Sequence, residues 1–333
     1  MRIATLTLGL IIALLFLWVA RAVFIITFLG VLLGLAVARA VDHLERFKIR
    51  RVIGAPLVVL AFVGLLAGIA AFTAPTIRDQ TRELSQELPK SVEEIDRWLS
   101  HTPAKAIGVT KQLGHELRSS TKFLFPILSS TFAAAGGAII VLFIAMYIGA
   151  TPHLYRKGLL HLVPRDHRDR ANDVLTTLRD TLRQWLVARL IAMVAIGVIT
   201  GIGLALLRVK GAVALGLLAG LLEFIPFFGP FASAVPAIGI ALVDSPSKAM
   251  WVTALYIFVQ QLEGNVITPL LLKKRLDIPP VLTVVAVSAL GVVFGVLGML
   301  IAEPLLATVL VTTKMLYVHD VVGDDVKVGK AMA

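Results

Sequence analysis

The chain contains no cysteine. Disulfides, thiolate metal sites and cysteine nucleophiles are therefore excluded together. It also has no His-Glu-x-x-His, no Gly-x-Ser-x-Gly and no P-loop phosphate-binding motif. His153, His161 and His167 are scattered between the apolar runs without metal-ligand spacing. An intramembrane protease or an ATP-driven pump would lack its reactive parts on this chain. With no nucleophile–base pair or metal constellation, the expectation is a non-enzyme that needs no cofactor and no metal.

What the chain has in excess is apolar length. It is 58% hydrophobic over 333 residues, with a mean hydropathy of +0.89. Soluble domains are about 45–50% apolar, and a helix needs about 20 apolar residues to cross the hydrocarbon of a bilayer. Ile3–Ala20, Ala22–Ala38, Gly54–Ala74, Thr131–Ala150, Leu186–Leu207, Gly211–Val243, Ala249–Leu262 and Val281–Thr313 approach or exceed that length. The expected fold class is an all-α polytopic membrane protein, with the lipid bilayer as its first partner. Arg2, an apolar run and Ala20-Arg21-Ala22 imitate a signal peptide. A second apolar run begins at once, so the first segment reads as an uncleaved helix. The net charge of +11 would suggest nucleic acid for a soluble protein. Here it reads as the basic bias of cytoplasmic loops, and no nucleic-acid partner is expected.

Three basic loops set the orientation. One carries Arg39, Arg46, Lys48, Arg50 and Arg51. The second carries Arg156, Lys157, Arg165, Arg168, Arg170, Arg179 and Arg183, and the third opens with Lys273-Lys274-Arg275. All three are placed in the cytoplasm. With two spans before the first basic loop, the N-terminus is expected there too, as is the C-terminus. The outer segment Thr76–Phe125 looks helical, since Leu84, Leu88, Val92, Ile95 and Leu99 recur at helical spacing and Ser91-Val-Glu-Glu94 has the form of a capping box after Pro89. It reads as an amphipathic hairpin lying on the membrane face or on a neighbouring subunit, with a substrate-gating cap as the alternative; together with the glycine faces of the later helices it makes a homo-oligomer the expected assembly. Val174, Leu175, Leu178, Leu182 and Trp185 line one face of a cytoplasmic interfacial helix. The resulting segmentation is N-terminal transmembrane helices over 1–74, the outer helical segment over 75–126 and a transmembrane helix over 127–150. A cytoplasmic helical segment then covers 151–185, a C-terminal core 186–316 and a cytoplasmic tail 317–333.

The most informative stretch is Glu223-Phe-Ile-Pro-Phe-Phe-Gly-Pro230, inside an apolar run. Pro226 and Pro230 lack N–H donors and break the helical ladder. Glu223 would be costly alone in hydrocarbon. Broken backbone at membrane depth is tolerated only where protein buries it or where it lines a wet cavity. Gly211–Val243 and Val281–Thr313 are each roughly 33 residues, too long for one span and short for two. Each is interrupted near its centre, the second at Phe294-Gly-Val-Leu-Gly298 and again at Pro304. Both read as broken or re-entrant helical hairpins, in the inverted layout typical of secondary transporters.

Three acids lie in apolar context beside helix breakers: Glu223, Glu263 and Glu303. Near Glu263, the spacing puts Gln261 and Asn265 on one helical face and Gln260 with Glu263 on a neighbouring one. Amides with a carboxylate can bind a small polar solute or an ion, and a desolvated glutamate can carry a proton. Arg189 is a candidate partner for one of these acids, or a snorkelling interfacial arginine. The candidate pathway residues are thus Glu223, Pro226, Gly229, Pro230, Gln260, Gln261, Glu263, Asn265, Glu303 and Arg189. Gly197, Gly201, Gly203, Gly216 and Gly220 supply small-residue spacings for close helix packing.

Leu221–Pro236, Gln260–Pro269 and Phe294–Pro304 together resemble, in order and spacing, the signature segments of the autoinducer-2 exporter family, also called PerM-like permeases. The similarity is most specific from about Trp185 to Val311. It implies a prokaryotic inner-membrane transporter of about eight spans. It also implies export of the furanone signal autoinducer-2 or, for some relatives, exchange of sodium or lithium against protons. Four positions depart from the family pattern. Ala188-Arg189 stands for Gly-Gln, Lys273-Lys274-Arg275 for a Gly-Arg-Arg-like turn, Glu303-Pro304 for Val-Pro, and Leu207-Arg-Val-Lys-Gly211 lacks Gly-Val-Pro. Arg189 and Glu303 could compensate each other. The expected function is a secondary transporter that exports a small polar solute, coupled to a proton or cation gradient. A sodium (lithium)/proton antiporter is the alternative within transport, and a passive channel or membrane scaffold is the alternative outside it.

Overall fold

The computed structural model describes residues 2–99, 131–272 and 279–324. The Lys273-Lys274-Arg275 turn and the second arm of the expected outer hairpin lie outside them. Among the described residues every regular element is a helix: α1 (Arg2–Glu45), α2 (Arg51–Leu99), α3 (Thr131–Ala150), α4 (Pro152–His161), α5 (Arg168–Leu206), α6 (Ala212–Leu222), α7 (Phe228–Asp244), α8 (Pro246–Leu262), α9 (Thr268–Leu272) and α10 (Pro280–Thr313). A wide π turn, Glu263–Ile267, joins α8 to α9, and another, Lys314–Val322, prolongs α10.

Ala22–Glu45, Arg51–Pro75, Arg165–Leu206 and Pro280–Val322 are long and apolar enough to cross a membrane, and Gly137–Ala150 with Pro152–His161, bent by 89°, would make a fifth. The chain is thus a multi-pass helical membrane protein, and the four or five such helices among the described residues do not by themselves make about eight spans. One reason is at the start of the chain. The expected division between Ile3–Ala20 and Ala22–Ala38 does not occur, because α1 runs unbroken for 44 residues, about 66 Å of rise. Ala20-Arg21-Ala22 contains only good helix formers and nothing there stops the ladder. α1 thus shows no reversal between those two stretches. Similarly, α2 continues through Pro89 and Ser91 to Leu99, so Ser91-Val-Glu-Glu94 lies inside a helix and caps none.

The chain divides into two compact units. The first comprises Met1–Ala61, Ala133–Arg183 and Ile278–Ala333. Within it, α1 and α3 approach at glycines. A Cβ on Gly30 would stand 2.6 Å from Ile144, and one on Gly149 would stand 2.4 Å from Val37. Val37, Val41, Ala55 and Ala145 form the buried cluster beside this seam. Asp42 pairs with Arg51 and, at 3.4 Å, with Arg183, while Glu45 accepts from Arg51 at 2.9 Å. Arg170 on α5 grips the end of the chain, donating to Met315 O at 2.9 Å and pairing with Asp320 at 2.7 Å. Val174, Val311 and Met315 pack beneath that contact.

α10 belongs to the first unit and is a hairpin rather than a rod. Gly295 has φ 64° and ψ −150°, a combination open to glycine and closed to side chains. A Cβ on Gly298 would stand 2.1 Å from Leu290 O, and one on Gly291 2.7 Å from Met299 Cε. Residues eight apart in a straight helix are about 12 Å apart, so the chain has turned back on itself at Phe294-Gly295.

The second unit comprises Phe62–Phe132 and Gln184–Asp277. Its described core joins the end of α5 to α6, α7 and α8. Leu204, Val209, Leu215, Ala237, Ile240, Ala241 and Val252 form its main buried cluster. α6 and α7 make the other expected hairpin, with arms of only 11 and 17 residues, about 16 and 25 Å. Neither arm alone reaches across ~30 Å of hydrocarbon. Ser245 then caps α8, accepting from Lys248 N at 3.2 Å, and Pro246 occupies the first helical turn, where its missing N–H costs nothing.

The end of α5 and α6 run antiparallel with their backbones in contact. A Cβ on Gly216 would stand 2.5 Å from Gly201 Cα, and one on Gly220 would stand 2.6 Å from Met193 O. Positions 189, 193, 197 and 201 fall on one stripe of α5, so the seam continues directly to Arg189. Gly216→Val should thus force the helices apart and cost about 1–3 kcal/mol, read as a lower unfolding temperature of the detergent-solubilised protein. An unchanged transition would show that the seam is not tight.

Candidate functional site

α6 stops because of the residues after Glu223. Ile225 precedes a proline and is pushed away from helical angles. Phe227 then takes φ 62° and ψ −49°, and Phe228 N–H donates to Pro226 O at 2.7 Å. That is a γ-turn of the strained kind, which costs a bulky residue about 1–3 kcal/mol. Gly229 comes next because the returning chain passes over the end of α6, and a Cβ there would stand 1.9 Å from Leu222 O. Pro230 lies in the first turn of α7, and its carbonyl accepts from Ser233 Oγ at 3.0 Å. Ser233 O in turn accepts from Tyr256 OH on α8 at 3.1 Å. Pro226, Gly229 and Pro230 therefore shape the turn that holds Glu223 at the end of its helix.

Glu223 is 1% exposed and faces Arg189, whose side chain is 10% exposed. Arg189 Nη1 is 3.5 Å from Glu223 Oε1 and 3.8 Å from Glu263 Oε1, the Glu263 side chain being 12% exposed. Arg189 Nε donates to Phe224 O at 3.3 Å, a carbonyl in the turn that ends α6. The Trp185 ring, one turn before Arg189, meets Phe224 edge-on at a centroid distance of 5.8 Å. Arg189 Nη2 is buried and has no hydrogen-bond partner among the described residues.

Glu263 opens the π turn after α8, a distortion of the helical ladder that is frequent at functional sites. Gln260 Nε2 donates to Glu263 Oε2 at 2.8 Å, and Asn265 Nδ2 donates to Gln261 Oε1 at 3.0 Å. The two pairs expected from spacing are the two pairs found. Gln260, Gln261 and Asn265 are exposed, whereas the side chains of Arg189, Glu223 and Glu263 are largely buried.

The arrangement brings Arg189, Glu223, Glu263 and Gln260 together within the second unit. Glu303 is half-buried beside Pro304 on the returning arm of α10, in the first unit. Arg189 is thus engaged with Glu223 and Glu263 rather than being a snorkelling residue. Sequence reasoning missed the Phe224 carbonyl, the Phe227 γ-turn and the Ser233–Tyr256 contact. The only signal for the first was the four-residue spacing of Trp185 and Arg189. Chemically, the cluster offers two carboxylates, one guanidinium and adjacent amides, which suits proton exchange or the binding of a small polar solute.

The family model described as "AI-2E family transporter" matches residues 8–317. YueF of Bacillus subtilis strain 168, provisionally named a transport protein, is 28% identical over 279 residues, covering 79% of this chain and 76% of its own. The AI-2 transport protein TqsA of Escherichia coli strain K12 is 21% identical over 285 residues, covering 80% and 78%. PerM of Escherichia coli strain K12, provisionally named a permease, is 24% identical over 319 residues, covering 88% and 90%.

Removing one member of a buried ion cluster costs about 3–5 kcal/mol. Arg189→Met should therefore destabilise the solubilised protein strongly, and adding Glu223→Gln with Glu263→Gln should restore most of the loss. A neutral triple variant no more stable than Arg189→Met would show that the cluster is not coupled as drawn.

Proposed function

We propose that this chain, which belongs to the AI-2E family of transporters, is a secondary transporter of the plasma (inner) membrane that exports a small polar solute. The reading rests on one observation above all: a buried arginine–glutamate cluster is built into a broken helical hairpin within an apolar body. Lipid-facing helices gain nothing from such a cluster, and broken backbone is kept where it lines a pathway. In this reading Gln260, Gln261 and Asn265 meet the solute at the rim. Glu223 or Glu263 exchanges a proton or accepts a cation as the solute passes. The printed name of TqsA makes autoinducer-2 the first solute to test.

The test is flux in reconstituted vesicles under imposed proton or sodium gradients. A coupled exporter should show saturable solute movement that responds to one of the gradients. Glu223→Gln and Glu263→Gln should each abolish that response. Coupled flux unchanged in both variants rejects the proton-carrier role. Sodium or lithium movement without organic solute would identify an antiporter, non-saturating conductance a channel, and no flux at all a scaffold. Glu303→Gln asks separately whether the α10 hairpin takes part.

A further inference from the structure

In the first unit, α4 carries an apolar face turned away from the helix that anchors it. Thr151 precedes Pro152 and leaves helical angles, with φ −134° and ψ 58°, as residues before proline do. α4 therefore departs from α3 at 89°. α3 has 20 residues, about 30 Å of rise, and crosses the hydrocarbon without help from α4. A helix at a right angle to a spanning helix runs close to the membrane plane, and this one starts where α3 ends.

No residue of α4 is buried. Leu154, Tyr155, Leu159 and the C-cap residue Leu162 are all exposed, Leu162 at 83%. At about 3.6 residues per turn these four share about 140° of the helix surface. Arg156 and Leu160 fall on the other side and are half-buried. Arg156 fixes the rotation of the helix, donating from Nε to Asn172 Oδ1 at 2.9 Å and from Nη2 to Thr176 Oγ1 at 3.0 Å, both on α5. Exposed Lys157 and His161 edge the apolar face, and no acidic residue occurs between Thr151 and Pro164.

We propose that α4 is an interfacial helix that binds the anionic headgroup layer of the bilayer: Leu154, Tyr155, Leu159 and Leu162 enter the upper acyl region, and Lys157 meets lipid phosphates. Continuity with the spanning helix carries the proposal. Exposed apolar surface runs along α3 to Tyr147 in its last turn and resumes at Leu154, just past the bend. Tyr147 and Tyr155 have the amphipathic form suited to the boundary between hydrocarbon and water. A helix of 10 residues that buries none of them is marginal in water. An apolar face edged by bases and lacking acids is the pattern that holds a helix on an anionic leaflet. The proposal concerns lipid and stands whatever solute the chain carries.

The absence of cysteine allows single-site labelling of the full chain. Leu159→Cys and Lys157→Cys each take a nitroxide label, in vesicles of phosphatidylglycerol with phosphatidylcholine. Collision of the label with oxygen, which concentrates in lipid, is compared with its collision with a neutral water-soluble nickel chelate. The oxygen-to-nickel ratio at 159 should exceed that at 157 by at least about threefold. It should fall in vesicles of phosphatidylcholine alone, and Lys157→Gln should remove that dependence on lipid charge. A label at 159 as open to the chelate as one at 157 would overturn the proposal, and so would a ratio indifferent to phosphatidylglycerol. Shielding from both collision partners would also reject it. Dipolar broadening that fades on dilution with unlabelled protein would then assign the face to a second copy, and its absence to another part of this chain. Leu154→Cys, on the same face, gives the same reading should the label at 159 prevent folding.

Discussion

One buried guanidinium between two carboxylates governs the second structural unit. A charge removed from water must be met by opposite charge and by hydrogen bonds, or it unfolds its surroundings. Meeting that demand fixes three elements at once. α5 must come close enough to α6 for Arg189 to reach Phe224 O, which requires glycine at 197, 201, 216 and 220, where backbone lies against backbone. α6 must end at Glu223, which requires the proline-interrupted turn after it. The helix after Leu262 must widen so that Glu263 faces the same guanidinium, which the π turn accomplishes.

The two helical hairpins show a common local device. Each reverses where a residue takes a positive φ, Phe227 in one and Gly295 in the other. Each places a glycine where the returning chain crosses a carbonyl of the outgoing arm, Gly229 over Leu222 and Gly298 over Leu290. A helix that ends inside an apolar body leaves carbonyl and N–H groups without intrahelical partners. Such groups must be capped by neighbouring side chains or by close backbone. In the second unit, Arg189 supplies part of that capping through Phe224 O. Phe227 does so under strain, holding an aromatic residue in a γ-turn that glycine would adopt more easily.

Much of this was legible in the residues because it depends on local rules. Apolar length marked the helices, and proline with glycine inside apolar runs marked both hairpins. The spacings 260/263 and 261/265 marked two side-chain pairs that the structure contains. What local rules missed had tertiary or competing causes. α1 continues through Ala20-Arg21-Ala22 and α2 through Pro89, where length suggested a reversal and a capping box suggested a start. Arg189 could be matched in sequence to any of three glutamates. Its approach to Glu223 depends on the glycine seam, which sets the distance between α5 and α6 and cannot be computed from either segment alone. The Phe227 turn contradicts the preference of its own residue and so gave no signal.

Stability alone does not account for the cluster. Replacing a buried ion cluster by apolar residues of similar volume is often neutral or stabilising, because the desolvation of each charge offsets most of the attraction. A chain that is 58% hydrophobic has abundant means to fill that space with leucine. The ion pairs at 3.5 and 3.8 Å are also longer than a tight charge-assisted hydrogen bond, and Nη2 is left without a partner among the described residues. A purely structural clamp would close those distances and use the whole guanidinium fork. In the transporter reading proposed above, the cluster instead serves the passage of a solute, and the guanidinium holds the two carboxylates together without the fold coming apart.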